Sequence, residues 1–188
     1  MTLSLYDYFC KVEDTRNKSG LRHPLPSFLS MATLSIMSGY SAFQEMKKFF
    51  KANEEAFTEL FDLPHGVPGY TQIRTIFMTL DFNSLNAVFE EWSLATTDLL
   101  PSDWLSADGK VLGSTVTNPN DSKQNYVAMV SLFCNRLGVV LGTERYESKE
   151  ASELHVAQDL LTNLLNELKG KGLIITLDAL HCQKKQLS

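Results

Sequence analysis

The hydrophobic period of this chain changes at Pro101. Before it, apolar residues recur at helical spacing; after it, they gather in short β-rich runs. The two periods bury different faces, so the chain commits to helices first and a sheet second. Residues 83–98 show the first pattern best. Leu85, Val88, Phe89 and Trp92 fall on one helical face, with Asn83 or Ser84 as the cap. Ile73, Ile76, Phe77 and Leu80 repeat the spacing after a Pro68-Gly69 turn, with Thr71 as the expected cap. Residues 42–61 also read as helix, with a break near Ala52-Asn53, and Pro24 and Pro26 start an earlier one. The aromatic stripe Phe43, Phe49, Phe50, Phe57 and Phe61 is expected in the core of this half. Two loops interrupt the helices, Asp14 to Pro24 and Asp62 to Gly69, both dense in turn residues.

After Pro101, residues 104–107 read as a short strand ending at Asp108. Residues 126–134 and 137–146 are β-rich, with Asn135-Arg136 between them as a hairpin connection. Residues 151–169 form an amphipathic helix closed by Lys169-Gly-Lys-Gly172. Leu173 to Leu177 is a continuous apolar run, the pattern of a strand buried on both faces. The order is β-β-β-α-β. A helix between the hairpin and the last strand implies a right-handed crossover that sets that strand parallel to the first.

Asp108 and Asp178 each follow one of these strands. An acid there is either a turn or capping residue, or a functional carboxylate, since burial of an idle one is costly. A parallel pairing of the two strands brings both acids to the same sheet end, where they could share a divalent cation.

Composition narrows the function classes. A net charge of −5 argues against a strongly basic nucleic-acid binder while leaving room for a local basic patch. The three cysteines, Cys10, Cys134 and Cys182, lack metal-ligand spacing and fit a reducing cytosol. The N-terminus does not read as a signal peptide, and the most apolar run, residues 28–37, is too short to span a bilayer.

The residues also resemble a known family. In the first half these are Asp14-Thr-Arg16, Gly20-Leu-Arg-His-Pro-Leu25, Gly66-Val-Pro68, Tyr70-Thr71, Arg74, Leu80-Asp81 and Trp92. In the second they are Asp108-Gly-Lys110, Val130-Ser-Leu132, residues 138–142, Lys149-Glu150, Ile175-Thr-Leu-Asp-Ala179 and Cys182-Gln-Lys184. In this order they resemble the DDE transposases of bacterial insertion sequences, in the group that includes the H-repeat-associated proteins. Each motif alone is weak; their order and spacing together are specific. Gly69, where the family usually has Ser, and Ala107, where a larger aliphatic is common, are small departures.

The resemblance implies an α/β chain with an all-α N-terminal module. Residues 1–98 would be the helical transposase-associated domain, and residues 102–188 the first part of a ribonuclease H-like domain. It implies Mg²⁺ held by three acids, of which Asp108 and Asp178 match the first two. The third, a Glu on a later helix, has no counterpart before Ser188, so a truncated transposase, inactive alone, is the expectation. Two metals about 4 Å apart would stabilise both oxygens of a phosphodiester displacement, and a hard cation such as Mg²⁺ takes carboxylate oxygens. DNA is the implied partner, with a second copy or an intact transposase beside it, in a cytoplasmic, nucleoid-associated setting. Arg16, Arg22, Arg74, Lys110 and Lys184 are candidate DNA contacts. A non-catalytic DNA-binding or transposase-partner remnant is the alternative, and a purely structural protein a third reading.

Overall fold

The computed structural model describes residues 3–17, 21–112, 115–116, 126–147, 156, 159–160, 162–163 and 172–177. It is a mixed α/β chain that divides into two compact units, Met1–Phe89 and Glu90–Ser188.

The first unit is helical. α1 (Leu5–Phe9) opens with a reciprocal cap: the Asp7 amide donates to Ser4 Oγ, and the Ser4 amide donates to Asp7 Oδ2 at 2.8 Å. α2 (Leu25–Met37) starts after Pro24, as the proline pair predicts, because proline suits a first turn whose N–H groups have no helical partner. α3 (Phe43–Ala52) and α4 (Glu54–Phe61) meet at Asn53, where the expected break falls. There the Asn53 side-chain amide donates to the Phe49 carbonyl at 2.8 Å. α5 (Tyr70–Thr79) packs back on α3. Phe28, Met31, Phe50 and Ile73 are fully buried between these helices. Phe28 meets Phe50 and Phe77 edge-on, at 6.3 and 5.1 Å between ring centres. The aromatic stripe supplies core here, through Phe50 and Phe57.

Two expected caps are corrected. α5 is entered from Gly69, with no side-chain cap from Thr71. α6 (Phe82–Thr96) is entered from Asp81, whose carboxylate accepts the Asn83 amide at 3.0 Å. Ser84 is occupied elsewhere: its hydroxyl accepts the Glu13 amide at 2.8 Å. The division between the units falls within α6, so residues 90–96 cluster with the sheet.

The second unit is a four-stranded sheet of β1 (Trp104–Val111), β2 (Val127–Cys134), β3 (Val139–Glu147) and β4 (Ile174–Leu177), in the order β3-β2-β1-β4. β1 and β4 are parallel, as the crossover argument requires, and the other two pairs are antiparallel. The hairpin turn spans residues 135–138 and uses Gly138 at φ +68, a conformation that costs glycine little. One face of the sheet carries Leu105, Ala107, Val130, Leu132 and Cys134 into a core that Val156 and Leu160 join from the helical stretch after β3. On the β3 edge, Ser93 Oγ donates to the Val140 carbonyl at 2.7 Å, and the Thr143 amide donates to Glu90 Oε1 at 3.3 Å. The end of α6 thereby occupies backbone groups that an open edge would present.

Two strand expectations change. β1 does not stop at Asp108; pairing with β2 carries it on to Val111, opposite Ala128. β4 is not buried on both faces. Ile174 is 40% exposed and Thr176 is exposed, since they lie on the face opposite the core.

Candidate functional site

Side chains alternate along β1. Leu105 and Ala107 enter the core, so Trp104, Ser106, Asp108 and Lys110 stand on the opposite, outer face. Asp108 is exposed in the middle of this row, across from Ser131 of β2. Among the described residues nothing hydrogen-bonds its carboxylate, so both oxygens remain available to a ligand. Lys110 follows two residues on, also exposed.

β4 brings Thr176 to the same face. The parallel register runs from Trp104 opposite Ile174 to Ala107 opposite Leu177. Asp178 is the next residue in sequence and lies outside the described residues, as do Lys184 and Cys182. Among the described residues no group of three or more His, Cys, Asp or Glu side chains could hold a metal ion.

Sequence reasoning passed over the polar residues around this acid. The Asn135 side-chain amide donates to Ser106 Oγ at 2.8 Å and to the Trp104 carbonyl at 3.2 Å. Ser106 and Thr176 hydroxyls meet at 3.0 Å. The signal was present in the sequence: both strands read hydroxyl-x-Asp, in Ser106-Ala-Asp108 and Thr176-Leu-Asp178. Behind the hairpin, Asp103 is buried and receives Arg136 through Nε at 2.5 Å and Nη2 at 2.8 Å. Arg136 Nη2 also donates to the Asp98 carbonyl at 2.7 Å, and the neighbouring carboxylate raises the guanidinium pKa above its usual value.

In the first unit the candidate basic residues separate. Arg16 is committed to its own loop. It donates to both Asp14 oxygens at 2.7 Å and to the His23 carbonyl at 3.1 Å. Those Arg16 bonds hold the Asp14 carboxyl below its usual range. Thr15 Oγ1 ties the same loop to the Thr79 carbonyl at 2.8 Å. Arg22 and Arg74 are exposed, Arg74 on α5. His23 is buried beneath this loop. Burial first, then the charges of His65, Arg16 and Arg22, push its pKa down, against an opposing hydrogen bond to the Gly66 backbone.

The first unit is helical, and the sheet of the second carries an exposed acid, Asp108, on β1. Residues 6–93 match the family model described as DDE_Tnp_1-associated. Over 181 residues, 96% of its length, the chain is 28% identical to the protein named "Putative transposase YncI" in Escherichia coli O157:H7 and to its namesake in strain K12. It is 22% identical over 180 residues to the "H repeat-associated putative transposase YbfD" of Escherichia coli K12, 68% of which it covers. The chain thus carries a DDE_Tnp_1-associated match over residues 6–93 and is similar along nearly its whole length to bacterial proteins named as putative transposases. It spans 45% of the first of these relatives and 70% of the second. A piggyBac transposase synaptic complex overlaps 92% of the chain at a TM-score of 0.39 and 9% identity, a likeness that carries no argument. No helix among the described residues is long and apolar enough to cross a membrane.

Proposed function

We propose that this chain carries part of the catalytic sheet of a DNA transposase, of ribonuclease H-like type, with Asp108 and Asp178 as its first two metal-binding acids. The observation that supports this most is the parallel β1–β4 register, which ends at Ala107 opposite Leu177. Asp108 and Asp178 each follow that last pair by one peptide bond, which spans only about 3.8 Å between Cα atoms. One further residue of parallel pairing would set the two carboxylates side by side on the outer face. A bound Mg²⁺ would supply charge stabilisation for the attacking and leaving oxygens of a DNA phosphodiester.

The chain's own residues divide the remaining work. Asp108 and Asp178 offer oxygen ligands. Lys110 extends a cation from the same face of β1 toward a phosphate. The helical unit grips duplex backbone through Arg22 and Arg74, while Arg16 shapes the loop that carries Arg22. Lys184 follows Asp178 closely enough in sequence to serve the same phosphate.

Calorimetric titration with Mg²⁺ tests the acid pair. Asp108→Asn and Asp178→Asn should each abolish the binding seen with the unaltered chain. Equal binding by all three proteins would sink the proposal. Gel-shift titration against the element's terminal repeats and against random duplex tests the DNA assignment. Preference for the repeats without any metal response would instead favour a non-catalytic DNA-binding role.

A further inference from the structure

We infer that Asn135, Ser106 and Thr176 form a positioning relay that sets the register of the β1–β4 pair, and through it the placement of the two acids. This rests on the acid-pair reading above. The relay has one direction. Thr176 Oγ1 donates to the Leu105 carbonyl at 3.2 Å, so its single proton is used there. Ser106 must then donate to Thr176 across their 3.0 Å contact. Ser106 in turn accepts from the Asn135 amide at 2.8 Å, whose other proton meets the Trp104 carbonyl. Each donor polarises the next, so the bonds strengthen one another.

The relay exists in one register only. Ser106 and Thr176 are direct Cα partners. A one-residue slip would turn every β4 side chain to the other face. A two-residue slip would keep the faces but set Ser106 against Ile174 or Asp178, with no hydroxyl partner. β1 needs no such help on its other side, where pairing with β2 runs from Leu105 through Val111. Over the described stretch of β4, Ile174–Leu177, the Ser106–Thr176 hydroxyl contact is a side-chain hydrogen bond that crosses to β1. Asn135 lies in the turn after β2 and therefore ties β4 to the hairpin as well as to β1. Each hydroxyl precedes one acid of the pair by two residues, the spacing that keeps side chains on one face of a strand.

Mn²⁺ takes the oxygen ligands that Mg²⁺ takes and reports its free concentration by electron paramagnetic resonance. The full chain would be titrated as wild type, Asp108→Asn, Asp178→Asn, Ser106→Ala, Thr176→Val and Thr176→Ser. The Asp variants should lose the site. Ser106→Ala and Thr176→Val should weaken it about fivefold, the scale of one cross-strand polar pair. Thr176→Ser keeps the hydroxyl and should stay near wild type. Thermal melting should rank the Thr176 variants the opposite way, because valine suits a strand better than serine. Wild-type affinity in Thr176→Val, with the Asp variants dead, overturns the relay and leaves the acid pair standing. A Thr176→Ser as weak as Thr176→Val also overturns it. Undiminished binding in the Asp variants overturns the acid pair and the relay together.

Discussion

Arg136, in the β2–β3 turn, grips the buried Asp103 just before β1 with two parallel hydrogen bonds, Nε to Oδ1 at 2.5 Å and Nη2 to Oδ2 at 2.8 Å. Asp103 also accepts the Leu100 amide at 2.8 Å, so one carboxylate joins the entry to β1 with the hairpin. The planar guanidinium fits this fork, and a lysine ammonium does not. Arg136→Lys should therefore lower the urea midpoint of the sheet, and Asp103→Ala should lower it further, because it removes every acceptor at a buried position. Both can be followed by the intrinsic fluorescence of Trp92 and Trp104. Equal midpoints in Arg136→Lys and wild type would show that charge alone suffices.

Gly66 has φ +66, and a Cβ built there would lie 2.9 Å from Glu54 Oε1. That carboxylate is held by Lys51 and by the Val67 backbone. Gly66→Ala should cost about 1–2 kcal/mol from the left-handed backbone, with a further loss from displacing Glu54. Gly39 also has positive φ but open space around it, so Gly39→Ala should cost less. Denaturant unfolding of the two variants compares them directly.

His23 makes stability depend on pH in a definite direction. Its folded pKa lies below the unfolded value of 6.5, so the unfolded chain takes up a proton first as pH falls. Its contribution is complete above pH 6.5 and declines as pH drops below that value toward the folded pKa. His23→Gln should flatten this part of the stability profile, measured by chemical denaturation between pH 7.5 and 5.5. The Asp14 carboxyl, held low by Arg16, acts in a separate and more acidic window.

Ser93 is buried at the β3 edge, where it donates to Val140. Ser93→Ala should cost about 1–3 kcal/mol by leaving that carbonyl without its partner. It should also raise aggregation, read by light scattering, because the edge loses part of its cover. Unchanged scattering alongside reduced stability would separate the two effects.

Most helices were legible because each is amphipathic over several turns and punctuated by proline or glycine. Pro24, Asn53 and Pro68-Gly69 all fall at element boundaries. Caps were less legible. Ser84 has cap chemistry, yet its hydroxyl is taken by Glu13, which is 71 residues away. Arg16 illustrates the same limit for function. A basic loop residue suggests phosphate contact, but Asp14 two positions earlier already occupies the guanidinium. The strand end at Asp108 was misplaced because Asp and Gly disfavour strands locally, while pairing with β2 carries β1 past both.

The sequence by itself determined the division into helices and sheet, the parallel pairing of the first and last described strands, and Asp108 as the candidate acid. These follow from short-range periodicity and from the handedness of crossovers, which need no tertiary detail. Only the tertiary structure decided which polar groups stay available. It committed Arg16 to Asp14 and Asp103 to Arg136, covered the β3 edge with Ser93 and Glu90, and left Asp108 on an open face beside linked hydroxyls. A side chain's chemistry is set by its type, but its partners come from elements distant in sequence, and partnership decides whether it holds the fold or meets a ligand.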